Sequence, residues 1–186
     1  MASIKGTALL PAVKLVRKFR EKLNPDMLDP EGRALAEQRI LPGSWYPMGP
    51  ASQIMIAVNE ILGSSSIADG MEFIGGDLAE RDLHGVYQDL ITVGDVAKSL
   101  RRSALLWRNY FDEGTLTISL PDPKVAHAVA RLEGFTQSIP YCHGIPGMAR
   151  VVVRIAGAGM TCEVKESSCT LKGAPLCEFH YRWATP

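Results

Sequence analysis

The chain has 186 residues, the size of one ordinary domain that buries most of its unfolded surface. Apolar residues make up 46% and charged residues 22%, which excludes disordered and fibrous classes. Twenty basic side chains balance twenty acidic ones, so no net field draws the chain to nucleic acid or an anionic membrane, and little self-repulsion opposes association.

No apolar run reaches the length of a membrane span; Val151-Val-Val-Arg-Ile is interrupted by Arg154. The N-terminal apolar run Ala8-Leu-Leu-Pro-Ala-Val precedes its basic cluster, the reverse of a signal peptide, which sets a cytoplasmic expectation. In a reducing compartment the four cysteines read as metal ligands or core residues before disulfides.

Residues 4–22 carry Leu9, Val13, Val16 and Phe19 at helical spacing, with a basic opposite face. Asp29 caps a short predicted helix that has Pro30 at its first position and ends near Arg39. Leu41-Pro-Gly-Ser-Trp-Tyr-Pro is a loop with two large aromatics. A helix over 50–62 follows, ended by Gly63 and a serine run. Two more helices are predicted over 71–92 and from the cap Asp95 to Phe111.

After Gly114 the period changes. Thr115-Leu-Thr-Ile-Ser-Leu alternates as a half-buried strand does. Asp122-Pro turns the chain, and 125–135 returns as a second strand, although its alanines also permit a short helix. A helix over 146–158 and strands over 161–170 and 177–183, joined by the Gly173-Ala-Pro turn, complete the chain. The fold class is α+β: N-terminal helices packed on a C-terminal antiparallel four-stranded sheet with an inserted helix, β-β-α-β-β, all in a single domain over 1–186.

Glu166, Cys169 and Cys177 lie close in sequence, and Cys142 or, alternatively, His143 stands near as a fourth donor. Two thiolates, a carboxylate and one more donor satisfy a tetrahedral Zn²⁺. Strand parity opposes this, because Glu166 and Cys169 point to opposite faces of a regular strand. A β-bulge at Ser167–Ser168 reconciles them. Pairing Val164 with Tyr181 best gathers the apolar side chains. Spacing alone favours reading Cys162, Cys169 and Cys177 as small buried hydrophobes, because the ligand set is incomplete without a distant fourth donor.

The run Val164-Lys-Glu-Ser-Ser-Cys-Thr-Leu-Lys-Gly-Ala-Pro-Leu-Cys-Glu-Phe-His-Tyr-Arg-Trp183 resembles the closing signature of 4-vinyl-reductase-type domains. Lys5-Gly, Leu41-Pro-Gly-Ser-Trp-Tyr-Pro and Leu105-Leu-Trp-Arg-Asn-Tyr-Phe-Asp-Glu-Gly extend the likeness to a paralogous family expanded in myxobacteria. The superfamily is similar in fold to haem–nitric-oxide-binding domains and to a vesicle-tethering subunit, and it includes aromatic-sensing domains that hold a structural zinc. The resemblance implies a Zn²⁺ site on Glu166, Cys169, Cys177 and Cys142 or His143. The lack of a Tyr-x-Ser-x-Arg run, which clamps haem propionates in those relatives, argues against haem.

No nucleophile elbow, phosphate loop or dinucleotide fingerprint occurs. His84 and Glu80 are spaced for an ordinary helix-face ion pair. Trp45, Tyr46, Trp107 and Tyr110 are a candidate lining for a pocket that takes a small apolar or aromatic ligand. The expectation is a non-enzymatic, sensor-like ligand-binding domain that forms a homodimer, with a dimerisation or scaffold module lacking any small ligand as the alternative.

Overall fold

The computed structural model describes residues 2–184 except 123, 137 and 158. The chain divides into two compact units, residues 1–70 with 108–113, and residues 71–107 with 114–186.

In the first unit, strands β1 (Ser3–Lys5) and β2 (Trp45–Pro47) pair antiparallel, with Ile4 opposite Tyr46. Helices α1 (Gly6–Lys18), α2 (Pro30–Glu37) and α3 (Met48–Leu62) complete it. The predicted helix over 4–22 is therefore shorter at both ends. Ile4 and Lys5 are taken into a strand, where Ile4 lies opposite Tyr46 and is 1% exposed. Gly6 then opens the helix under the 41–47 loop, where a Cβ would stand 2.0 Å from the Leu41 carbonyl oxygen. Asp29 caps α2 as expected, its carboxylate accepting from the Gly32 N–H at 2.8 Å. The α3 helix starts two residues before the predicted Pro50.

Helix α4 (Ile67–Leu83) begins earlier than predicted and stops well short of Thr92. The N–H groups of Gly85 and Tyr87 both turn back to the Asp82 carbonyl, which closes the helix. The helix expected from Asp95 to Phe111 is two, α5 (Val96–Ser103) and α6 (Leu105–Tyr110). Asp95 caps the first, accepting from the Lys98 N–H. The Ser103 hydroxyl donates back to the Leu100 carbonyl, and Trp107 N–H bonds Ala104 O at the tighter i−3 spacing, so the axis breaks between them.

The second unit holds the predicted sheet. Strands β3 (Thr115–Ser119), β4 (His127–Glu133), β5 (Cys162–Ser168) and β6 (Cys177–Trp183) run antiparallel in the order β3–β4–β6–β5. The alanine-rich segment is a strand, with Ala128, Ala130 and Leu132 buried on one face and His127 and Arg131 on the other. Helix α7 (Gly144–Ala156) crosses between β4 and β5 and packs on the buried face; its predicted end at residue 158 lies outside the described residues, as does the proline of the Asp122-Pro turn. Trp107, Leu132, Ile145, Phe179 and Tyr181 fill that core. This is the α+β class expected, with the inserted helix in place.

The contact of α7 with α4, from Met71 onward, is made by glycines. An added Cβ on Gly75 would lie 2.1 Å from the Gly144 oxygen, and one on Gly147 would lie 1.9 Å from the Glu72 oxygen. Small residues let the two backbones touch, and Arg150–Glu72 and Arg154–Glu80 ion pairs flank the crossing.

Candidate functional site

The closing hairpin carries the candidate site. Glu166 pairs with Phe179 and Ser168 with Glu178, so Ser167 is the extra residue of a bulge, where parity required one. The Ser167 hydroxyl donates to the Glu178 carboxylate at 2.7 Å and that of Ser168 to the Leu176 carbonyl at 3.0 Å, which pins the irregularity. Glu166, Cys169 and Cys177 consequently share the inward face. Val164 lies opposite Tyr181, as the apolar pattern predicted.

Cys142 reaches the same place from the turn Tyr141–His143 ahead of α7. The sulfurs of Cys142, Cys169 and Cys177 lie within 4.8 Å of one another, and all three residues are buried. The Cys169 and Cys177 Sγ atoms are 4.0 Å apart. Cys177 Sγ accepts from the Thr170 N–H at 3.4 Å and faces the Thr170 hydroxyl at 3.3 Å. A hydrogen bond from the Cys142 thiol, helped by Thr170, draws the Cys177 pKa down to about 5. The same bond to Cys177, with burial, pushes the Cys142 thiol up, and burial raises Cys169. Cys162 sits at the other end of the hairpin, opposite Trp183, where burial raises it to about 11.

Glu166 and His143 form a second grouping around Cys142. His143 Nε2 lies 3.2 Å from Glu166 Oε1, and Lys172 bonds the other carboxylate oxygen. The ring of His143 meets Phe179 edge to face at 5.8 Å. Lys172 and Thr170 were not singled out from the sequence; both sit in the 3-10 turn Thr170–Lys172, which no periodicity marks.

Burial alone would push the Glu166 carboxyl up, but the Lys172 hydrogen bond and the His143 charge outweigh it and hold the pKa below the ordinary value. A depressed carboxyl contributes stability that is complete above its unfolded pKa, about 4.3, and is lost as the pH falls through the folded value. Lys172→Met should therefore narrow the loss of stability between about pH 6 and pH 3. Urea midpoints at those two pH values check this; an acid loss equal to that of the parent chain would show that Lys172 does not hold the carboxylate.

The aromatics expected to line a pocket are shared between the units, Trp45, Tyr46 and Tyr110 in the first and Trp107 in the second. Trp107 and Tyr110 are 1% and 2% exposed, and Trp107 packs edge-on to Phe135 at 5.0 Å. The Tyr46 hydroxyl accepts from the Leu41 N–H, while Trp45 is 43% exposed under the Lys5 ammonium. A groove of about 380 Å³ opens instead between Val93, Val96, Val125, Met160 and Trp183, with Lys124 at its edge. On the outer sheet face His127 Nε2 and His180 Nδ1 share a 3.0 Å hydrogen bond, and Glu178 lies 3.1 Å from His180 Nε2. His84 pairs with Glu80 at i, i+4, as its spacing indicated.

No protein-family model matches the sequence, and no curated protein matches it. Solved structures do. The H-NOX protein from S. oneidensis in its Fe(II)NO state is 11% identical, with a TM-score of 0.66 over 97% of this chain and 99% of that chain. An Fe(II) unliganded mutant H-NOX from K. algicida is 12% identical, at 0.67 over 97% of each chain. A mutant H-NOX from T. tengcongensis is 12% identical, at 0.66 over 98% of each.

These matches correct the cofactor expectation, which allowed zinc and argued against haem. Solved chains of this fold include an oxygen-binding H-NOX domain in its oxygen complex and one studied for haem redox potential, and the comparison lends zinc no support. His127 and His180 are bonded to each other on the outer face, His84 Nδ1 donates to the Glu80 carbonyl in an exposed position, and His143 faces Glu166. The grooves found in the units, about 260–380 Å³, open to solvent. At such low identity the likeness establishes architecture: this chain has the α+β fold of H-NOX domains over nearly its whole length.

Proposed function

We propose that this chain is a small-molecule-binding, sensor-type domain rather than an enzyme, its two units serving as one functional domain in the cytoplasm. The observation that carries the reading is the fold: the match spans 97% of this chain and 99% of an H-NOX protein solved with nitric oxide on Fe(II). The C-terminal motif supports kinship with 4-vinyl-reductase-type domains. The groove beside Trp183 provides a seat of the size that small ligands occupy, with mostly apolar walls and one cationic edge.

The test loads the purified chain with haem in one arm and screens small aromatic and apolar compounds by thermal shift in the other. A one-to-one Soret complex that responds to nitric oxide, or a saturable shift in Tm with an aromatic compound, supports the proposal. Trp183→Ala should abolish the aromatic response if the groove is the seat. No complex in either arm overturns it. A homodimer is part of the proposal. The formal charge of zero removes self-repulsion, and Phe73 (60% exposed) and Val86 (83% exposed) offer apolar surface. A dimerisation module without ligand is the reading left if sedimentation finds a dimer and both binding arms fail.

A further inference from the structure

We propose that the groove between α1, α2 and the chain that joins them binds a small amphipathic carboxylate, an apolar body with one anionic head. The groove belongs to the first unit, is separate from the one beside Trp183, and does not rest on the proposed function.

The groove has a volume of about 280 Å³. Val16 from α1, Leu23 and Leu28 from the connecting chain and Ala36 from α2 supply its apolar lining. Arg17, Arg20 and Arg33 stand around it, with Glu37 as the acid among its lining residues. Three cations against one anion make a local positive excess in a chain whose formal net charge is zero.

The three arginines are not alike. Arg17 donates through Nε to the Ala36 carbonyl and through Nη2 to the Gln38 carbonyl, both at 2.5 Å. It straps α1 to the end of α2 and satisfies carbonyls that a helix terminus leaves open. Helix stability accounts for Arg17 but not for the other two. Arg33 lies in the first turn of α2, at the positive end of the macrodipole, where a cation is unfavourable. Glu37 follows it at the i, i+4 spacing of a helix-face pair. Arg20 opens the 3-10 turn Arg20–Lys22. Among the described residues no ion pair involves Arg20 or Arg33. The Asp29 carboxylate at the start of α2 is bonded to the Gly32 N–H and the Gln53 amide.

A carboxylate meets both halves of this arrangement. Guanidinium groups present paired donors that match two carboxylate oxygens. The apolar body of the ligand takes the place of water over Val16, Leu23, Leu28 and Ala36. A small inorganic anion would leave that lining wet, and a neutral apolar compound would leave the cations without a partner. The volume is at the lower end for ligand pockets, which sets the body at a short chain or one ring rather than a long acyl chain.

The experiment titrates octanoate and 1-octanol, its uncharged counterpart, into the isotope-labelled full chain and locates each by amide shifts. The expected result is saturable octanoate binding with shifts centred on residues 16–37, and 1-octanol at least about tenfold weaker. Hexanoate should bind about fifteenfold more weakly than octanoate, at roughly fourfold for each buried CH₂. Arg20→Gln combined with Arg33→Gln should lower octanoate to the affinity of 1-octanol and leave 1-octanol unchanged. Both side chains are exposed, so the double variant should keep the parent Tm. Equal affinity for octanoate and 1-octanol would overturn the proposal, as would octanoate binding that survives the double substitution. Shifts confined to the groove beside Trp183 would also overturn it. Retention on anionic phospholipid vesicles without saturable octanoate binding would make the patch a membrane-facing surface instead. The haem and aromatic arms can succeed or fail without altering any of these outcomes.

Discussion

Gly147→Ala should destabilise the chain by more than about 3 kcal/mol, at the upper end of overpacking costs, while Gly76→Ala should be neutral or stabilising by about 0.5–1 kcal/mol. Both glycines are at the same helix crossing. A Cβ on Gly147 would stand 1.9 Å from the Glu72 carbonyl oxygen and 2.7 Å from the Gly76 nitrogen. Both are backbone atoms of a helix, so relief requires α7 to move away from α4 along its length. That movement would also pull apart the Arg150–Glu72 and Arg154–Glu80 pairs. On Gly76 the nearest atoms would be 3.6–3.9 Å away, ordinary contact, and alanine gains helix propensity. Urea unfolding of the two variants measures the difference. Equal effects would mean that the helices are not in contact as described.

Phe179→Ala should cost about 3–5 kcal/mol, the usual range for deleting a buried aromatic. Phe179 is 1% exposed in β6, between β4 and β5, opposite Ala130 on one side and Glu166 on the other. Its ring also supports the imidazole of His143, which keeps that side chain against Glu166. The cavity would open beside the thiol cluster. The variant should therefore show a second effect, faster reaction of Cys169 and Cys177 with an aromatic disulfide reagent, measured where the chain remains folded. Phe179→Leu fills most of the volume and should show both effects more weakly. A large stability loss with thiol reactivity unchanged would separate Phe179 from the site.

These effects concern positions that the sequence marks unequally. Phe179 could be read from the alternation of β6, because residues that share parity along a strand share a face. The bulge was also legible, since Glu166 and Cys169 can converge in no regular strand. The glycines of α4 and α7 were not. A glycine within an amphipathic helix has no period of its own, and only the partner helix shows which one is touched.

The helix boundaries failed for a related reason. Apolar spacing continues past Leu83 and across Ala104, yet the helices end there because backbone N–H and hydroxyl groups find nearer acceptors. Size and polarity qualify Trp107 equally for a pocket and for a core, and within its own unit it packs against Phe135. The cofactor expectation rested on a missing short run. The fold comparison overturned it, since architecture is retained at 11–12% identity where local motifs are not.

By itself, then, the sequence determined the α+β class, the four strands with their inserted helix, the inward face of the closing hairpin and its need for a bulge. All of these follow from local periodicity and parity, which a linear chain displays directly. Only the tertiary structure decided that Cys142 joins Cys169 and Cys177, that His143 and Lys172 take up Glu166, and that glycines hold α4 against α7. Apart from the Lys172–Glu166 bond, local to the hairpin, those are contacts between segments far apart in sequence, set by how the helices and sheet pack.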